Sequence, residues 1–116
     1  MLSLLEESRM LSLRAGSAEH RFTGVWFVLV RGRVFVRPWN DKLTGWRRAF
    51  LQEPRGAIAL AGRQIAVRAR KAGRESLWDQ IDHAYAAKYD TAASRKWVRG
   101  FSRPRRRQTT MELLPG

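Results

Sequence analysis

Residues 21–51, RFTGVWFVLVRGRVFVRPWNDKLTGWRRAFL, carry the signals from which the fold is read. Val25 to Val30 is apolar at consecutive positions, so a strand here is covered on both faces and lies centrally in its sheet. Arg31-Gly32-Arg33 places a glycine where a tight reversal needs a backbone conformation that other residues resist. The chain then returns through Val34, Phe35 and Val36 until Pro38 removes a ladder donor. Arg37 and Trp39 therefore stand where the sheet opens. Asn40 to Gly45 reads as a loop, with Thr44 as the cap of a helix of about two turns from Gly45 to Leu51. Trp46, Ala49 and Phe50 give that helix an apolar stripe.

Working outward, residues 2–14 have leucines at 2, 4, 5, 11 and 13, which fit neither the helical nor the strand period. Residues 1–20 are expected to hold a short helix or an edge element, with Met10 to Leu13 a candidate edge strand. Ala15 to Glu19 is a small, polar loop leading to His20 and Arg21. Downstream, Ala57 to Leu60 and Arg63 to Arg70 form a second hairpin about Ala61-Gly62. In its second strand Ile65, Val67 and Ala69 alternate with Ala66, Arg68 and Arg70, giving one core face and one basic face. Leu77, Trp78, Ile81, Ala84, Tyr85 and Tyr89 share one face of a helix predicted from about Leu77 to Tyr89, with Ser76 and Asp79 as its capping pair. A short helix containing Trp97 and Val98, a basic loop Arg103 to Arg107, and a closing strand Thr109 to Leu114 complete the expected order. The expected class is mainly β with helices, in one domain spanning 1–116.

Of the 116 residues, 23 are Lys or Arg and 10 are Asp or Glu, a net charge of +13. The excess is concentrated. Residues 21–70 hold eleven basic and two acidic side chains, whereas residues 1–20 hold two and three. Such a field attracts nucleic acid, an acidic membrane surface or a phosphate-bearing small molecule. With no cysteine, disulfides and thiolate metal sites are excluded. No apolar run approaches the roughly 20 residues that span a bilayer, and the start of the chain is a poor secretion signal. The expected location is cytoplasmic, without a membrane partner.

Two basic and aromatic groups are candidate binding sites. The first is Arg21, Arg37, Trp39, Trp46, Arg47 and Arg48: guanidinium forks and helix-start donors suit phosphate, and tryptophan stacks on a flat ring. The plainer reading makes the tryptophans core anchors and the arginines a solvated face. The second is Arg95, Lys96, Arg99, Arg103, Arg105, Arg106 and Arg107 around Trp97 and Phe101, which could grip a phosphodiester backbone and stack a base. A solvated charge run is the plainer reading there, and no nucleic-acid motif accompanies it. His20 and His83 have no metal-ligand spacing, and Asp79 with His83 lacks a third ligand. No nucleophile elbow, P-loop or dinucleotide fingerprint is present. A reaction run by this chain would borrow its chemistry from a cofactor.

The order strand, Arg-Gly turn, strand, loop, GWRRAF (45–50), hairpin GAIALAGRQIAVRAR (56–70) and IDHAYAAKYD (81–90) resembles small bacterial proteins of the FMN-binding split-barrel superfamily. It is also similar to the deazaflavin-dependent nitroreductase-like branch. The resemblance covers about Arg21 to Leu114 and implies a six-stranded split β-barrel with one long and one or two short helices, usually a homodimer. It implies FMN or a deazaflavin at the subunit interface, or haem in some members. Carried over by position, it assigns cofactor contacts to Arg21, Arg37, Trp39, Trp46 and Arg47. Two features depart from the pattern: Trp39 stands where a lysine is common, and AGSAEH (15–20) lacks the Lys-Ser-Gly phosphate loop. The functional expectation is a flavin- or deazaflavin-binding protein, potentially an oxidoreductase. The alternatives are a basic nucleic-acid or polyanion-binding module and a cofactor-less interaction scaffold.

Overall fold

The computed structural model describes residues 5, 8–16, 21–38 and 45–116. Six strands, β1 (Met10–Ala15), β2 (Thr23–Val30), β3 (Arg33–Val36), β4 (Arg55–Leu60), β5 (Arg63–Lys71) and β6 (Met111–Pro115), close into a barrel in the order β1-β2-β3-β6-β5-β4. Every neighbouring pair is antiparallel. Among the described residues four helices are delimited: α1 (Gly45–Gln52), α2 (Glu75–Lys88), α3 (Arg95–Phe101) and α4 (Pro104–Arg107). The split-barrel architecture expected from the sequence is present. The N-terminal strand is no edge, because β1 pairs with β2 on one side and β4 on the other. Closure removes the edge liability that an open sheet would carry.

Both hairpins turn as their sequences require. Arg31 and Gly32 have φ values of 55° and 73°, and Ala61 and Gly62 have 51° and 77°. Two central residues with positive φ are the signature of the type I′ turn, whose twist matches that of the flanking strands.

The two-sided cover of β2 is also seen. Val25 and Phe27 point into the barrel with Leu11, Leu13, Val36, Ile58, Val67 and Met111, while Val28 and Val30 face outward. That outer side packs with Phe35 against Leu77, Ile81, Tyr85 and Tyr89 of α2 and its C-cap. Each such buried apolar or aromatic side chain contributes about 1.5–3 kcal/mol. In β5, Val67 and Ala69 are buried and Arg68 and Arg70 exposed, as the alternation demands.

Three local expectations need correction. The α2 N-cap is Arg74 and no side chain caps it, because the helix begins one residue before Ser76 and carries that serine inside its first turn. The basic segment after Arg103 is partly helical, since Pro104 suits a first helical position. Among the described residues the short helices therefore number three, where one or two were expected. The Thr44 cap lies outside the described residues.

Candidate functional site

One end of the barrel is built by the last residues of β1, the approach to β2, the start of β4 and α1. Phe50 of α1 is buried in the barrel core, and Gly56 of β4 is what lets the helix sit so close. A Cβ at Gly56 would lie 2.3 Å from the Arg14 carbonyl and 2.7 Å from the Phe50 ring. On the same helix Trp46 is half-buried against the core, its ring edge-on to Phe50 at 6.3 Å between centroids. Trp46 is thus both a core anchor and a partly open surface.

Five arginines gather around this end. Arg14 stands on the outer face of β1 with its guanidinium 4.6 Å from the centre of the Phe22 ring, and Arg21 is exposed beside Phe22. Arg47 is half-buried on α1. Among the described residues the Nε groups of Arg14 and Arg47 are buried without a hydrogen-bond acceptor. Such a donor costs about 1–3 kcal/mol if left unsatisfied, and an anion is the acceptor best suited to a guanidinium. Arg55 of β4 stands directly opposite Arg68 of β5. Like charges in that relation repel and add to the local demand for an anion. Arg14, Arg55 and Arg68 are additions to the set read from sequence; the alternation of β5 signalled Arg68, but nothing local distinguished Arg14.

Arg37 goes elsewhere. Val36 points into the barrel, so the next side chain turns out beneath α2, where Arg37 is 1% exposed. Its Nε donates to Thr110 Oγ1 at 2.8 Å, and its terminal nitrogens reach Asp82, the Phe101 carbonyl at 2.9 Å and the Trp78 carbonyl at 3.3 Å. Burial lowers the Arg37 pKa, and Asp82 opposes that shift. In this structure the guanidinium ties β3, α2, α3 and the approach to β6 together; it does not share the barrel end with Arg14 and Arg47. Trp39 and His20 lie outside the described residues.

Two tyrosines complete the seam between barrel and α2. Tyr85 Oη accepts from the Arg37 amide at 3.1 Å and lies 3.0 Å from the Trp26 carbonyl. Tyr89 Oη accepts from the Phe27 amide at 2.9 Å and meets the Arg9 carbonyl at 2.6 Å. These hydroxyls satisfy backbone groups where β2 runs past the paired ends of β1 and β3. Burial raises both phenol pKa values, which keeps both hydroxyls protonated at neutral pH. Their core placement agrees with the sequence pattern.

The second basic group is partly folded back onto the protein. Arg107 pairs with Asp79 and, at 3.1 Å, with Asp82, and lies over the Trp78 ring at 5.7 Å. Trp97 remains 43% exposed on α3, with Lys96 Nζ 5.1 Å from its ring centre. Among the described residues no group of three or more His, Cys, Asp and Glu could hold a metal ion. No helix among them is long and apolar enough to cross a membrane.

Comparison with known families decides where the chain belongs. Residues 2–113 match a family described as "Uncharacterized protein conserved in bacteria (DUF2255)". The chain is a member of this family. No curated protein matches it. Among solved structures it is similar to HutZ, the haem storage protein from Vibrio cholerae, with a TM-score of 0.72 and 17% identity over 98% of this chain and 86% of that one. A putative pyridoxamine 5'-phosphate oxidase from Listeria innocua gives 0.67 at 14% identity, covering 98% and 89%. An F420-H2-dependent reductase gives 0.61 at 12%, covering 90% and 92%. At these identities the likeness establishes the shared fold of this DUF2255 member.

Proposed function

We propose that the protein binds a flavin-type cofactor, FMN or a deazaflavin, at the α1 end of the barrel. The observation that carries this reading is the pair of buried Nε groups of Arg14 and Arg47, which have no acceptor among the described residues, set in an arginine-rich end of a barrel whose structural relatives include an F420-H2-dependent reductase. A phosphate would accept from these donors, and Arg21, Arg55 and Arg68 would add charge around it. The half-buried face of Trp46 offers a surface for the flat ring. The residues present therefore fit the anionic and aromatic parts of such a ligand. Bound, it would supply hydride chemistry; the chain would bind, orient and partly exclude water. Arg37 belongs to this reading as a positioning residue that fixes the end of β3 ahead of residues 39–44.

The proposal includes a homodimer. The outer face of β4 and β5 carries Ala59, Gln64, Ala66 and Arg68, small or polar and not fully buried, on which a second barrel could close over the cofactor.

The test is an absorbance and fluorescence titration of the purified protein with FMN and with a deazaflavin, using inorganic phosphate as competitor. The proposal requires saturable binding of at least one cofactor, weakened by phosphate, and a mass in solution of two chains. Failure of both cofactors to bind overturns it. Salt-dependent binding of DNA or RNA in their place, lost on changing Arg103 and Arg105, would favour the polyanion alternative.

A further inference from the structure

Residues 91–111 hold seven basic side chains and no acidic one. They fold as α3, which packs against α2, and α4, which packs against α3, whereas α1 packs on β1. One side of α3 is fixed inward. Val98 and Phe101 are buried, the Phe101 ring stacks on Tyr85 with 4.7 Å between centroids, and the buried Ser94 Oγ donates to the Tyr89 carbonyl at 2.6 Å. The helical period then leaves Arg95, Lys96, Trp97 and Arg99 at the surface. Trp97 is 43% exposed, and among the described residues no other aromatic side chain is as exposed. Lys96 Nζ lies 5.1 Å from the centre of its ring. On the same side of α3, a Cβ at Gly100 would lie 3.4 Å from a terminal nitrogen of Arg106, so α4 rests close against the helix there. The Arg103 amide donates to the Gly100 carbonyl at 3.2 Å, and Arg103 and Arg105 are exposed at and just after the junction of the two helices. Acidic side chains reach the ends of the segment: Asp90 pairs with Arg95 at 3.2 Å, Asp82 with Arg107 at 3.1 Å, and Asp79 also with Arg107. The stretch between those ends is basic and carries the exposed indole.

We propose that the surface formed by α3 and α4 binds single-stranded nucleic acid, with an unpaired base stacked on Trp97 and the adjoining phosphates held by Lys96, Arg103 and Arg105. A merely solvated helix face mixes charges of both signs. Here the sign is uniform along the whole segment. A phosphodiester chain is complementary to it because each repeat offers one negative charge and one flat ring. With Lys96 beside the indole, a base stacked on Trp97 brings its phosphate within reach of a cation. In a duplex the faces of the bases are covered by their neighbours, so an exposed indole selects the single strand. An acidic peptide would answer the charge and leave the indole without a planar partner. The residues are separate from Arg14, Arg47 and Trp46, so this binding stands apart from the cofactor proposed at the α1 end.

The experiment follows the fluorescence anisotropy of labelled oligothymidylate and oligouridylate of about 12 nucleotides, and of a duplex of the same length, with the intact protein across a salt series. Both single strands should bind at least about tenfold more tightly than the duplex. The slope of log affinity against log salt should be about −2 for the three cations. Trp97→Ala should weaken single-strand binding by about five- to hundredfold and leave that slope unchanged, with Trp97→Phe retaining most of the affinity. Arg103→Ala combined with Arg105→Ala should instead make the slope shallower by about 1.4. Duplex bound as tightly as single strand would overturn the proposal, as would full affinity in Trp97→Ala. Equally effective competition by polyglutamate would overturn the choice of nucleic acid over an acidic protein. Oligonucleotide binding abolished by Arg14→Ala with Arg47→Ala, and untouched by Trp97→Ala, would place the strand at the α1 end and overturn the α3–α4 surface. The comparison of ligands uses the unmodified sequence, so it does not depend on a variant folding.

Discussion

Replacing Arg37 by methionine separates two roles that this side chain could have. Methionine keeps much of the apolar stem volume and removes the guanidinium. Thr110 Oγ1 and the Phe101 and Trp78 carbonyls would then lose a donor, and Asp82 would lose one of its two arginines. Removing one partner of a buried ion pair costs about 3–5 kcal/mol. Here Asp82 keeps Arg107 at 3.1 Å and 22% side-chain exposure, which places the expected loss at the lower end, about 3 kcal/mol. For a chain of this size that corresponds to a fall in Tm of about 12 °C. Thermal and urea unfolding followed by circular dichroism at pH 7 would measure it, with Arg37→Lys retaining part of the loss because a point charge replaces a fork. A loss below about 1 kcal/mol would refute the role of Arg37 in tying β3 to α2 and α3. If such a mild variant also failed to bind cofactor, Arg37 would be the ligand contact that its sequence position suggested.

Three further outcomes follow from the packing. Gly56→Ala should destabilise by more than about 2 kcal/mol, because a Cβ 2.3 Å from the Arg14 carbonyl forces backbone apart; an unchanged urea midpoint would contradict the close approach of α1. Tyr89→Phe should cost about 1–3 kcal/mol by orphaning the Phe27 amide, with little change in apolar area; a neutral effect would mean that water replaces the hydroxyl. Glu112 is 3% exposed and bonded to Arg33 at 2.8 Å and Arg70 at 3.0 Å, and Arg33 leads the effects that lower its pKa. Its folded pKa lies below its unfolded one, so its contribution is present above the ordinary carboxylate range and disappears as pH falls through the folded value. Wild type and Glu112→Gln should therefore differ in Tm at pH 7 and converge in acid; a constant gap from pH 7 to 2 would refute the pairing.

Much of the fold could be read from residues 21–51 because its determinants are local. A doubly covered strand must be continuously apolar, and a two-residue hairpin needs positive φ at its turn, so Val25 to Val30 and Gly32 carried their meaning in the sequence. Alternation did the same for β5. The status of β1 was less legible, since barrel closure depends on β4, more than forty residues away. Arg37 shows the same limit at the site. Its position after β3 was read correctly, but the direction of its side chain follows from the inward turn of Val36 and from α2, and only the assembled structure supplies Asp82 and Thr110 as partners. Arg14 was silent for a related reason: its significance comes from neighbours contributed by α1 and β4.

The most direct measurement is the FMN and deazaflavin dissociation constants of wild type, Arg14→Ala, Arg47→Ala and Arg37→Lys under one salt condition. Loss of a charge-assisted hydrogen bond of about 1.5–3 kcal/mol predicts roughly tenfold to hundredfold weaker binding for each of the first two variants. Folded Arg37→Lys should bind within a few fold of wild type. Undiminished affinity in both Arg14→Ala and Arg47→Ala would contradict the placement of the cofactor at the α1 end of the barrel.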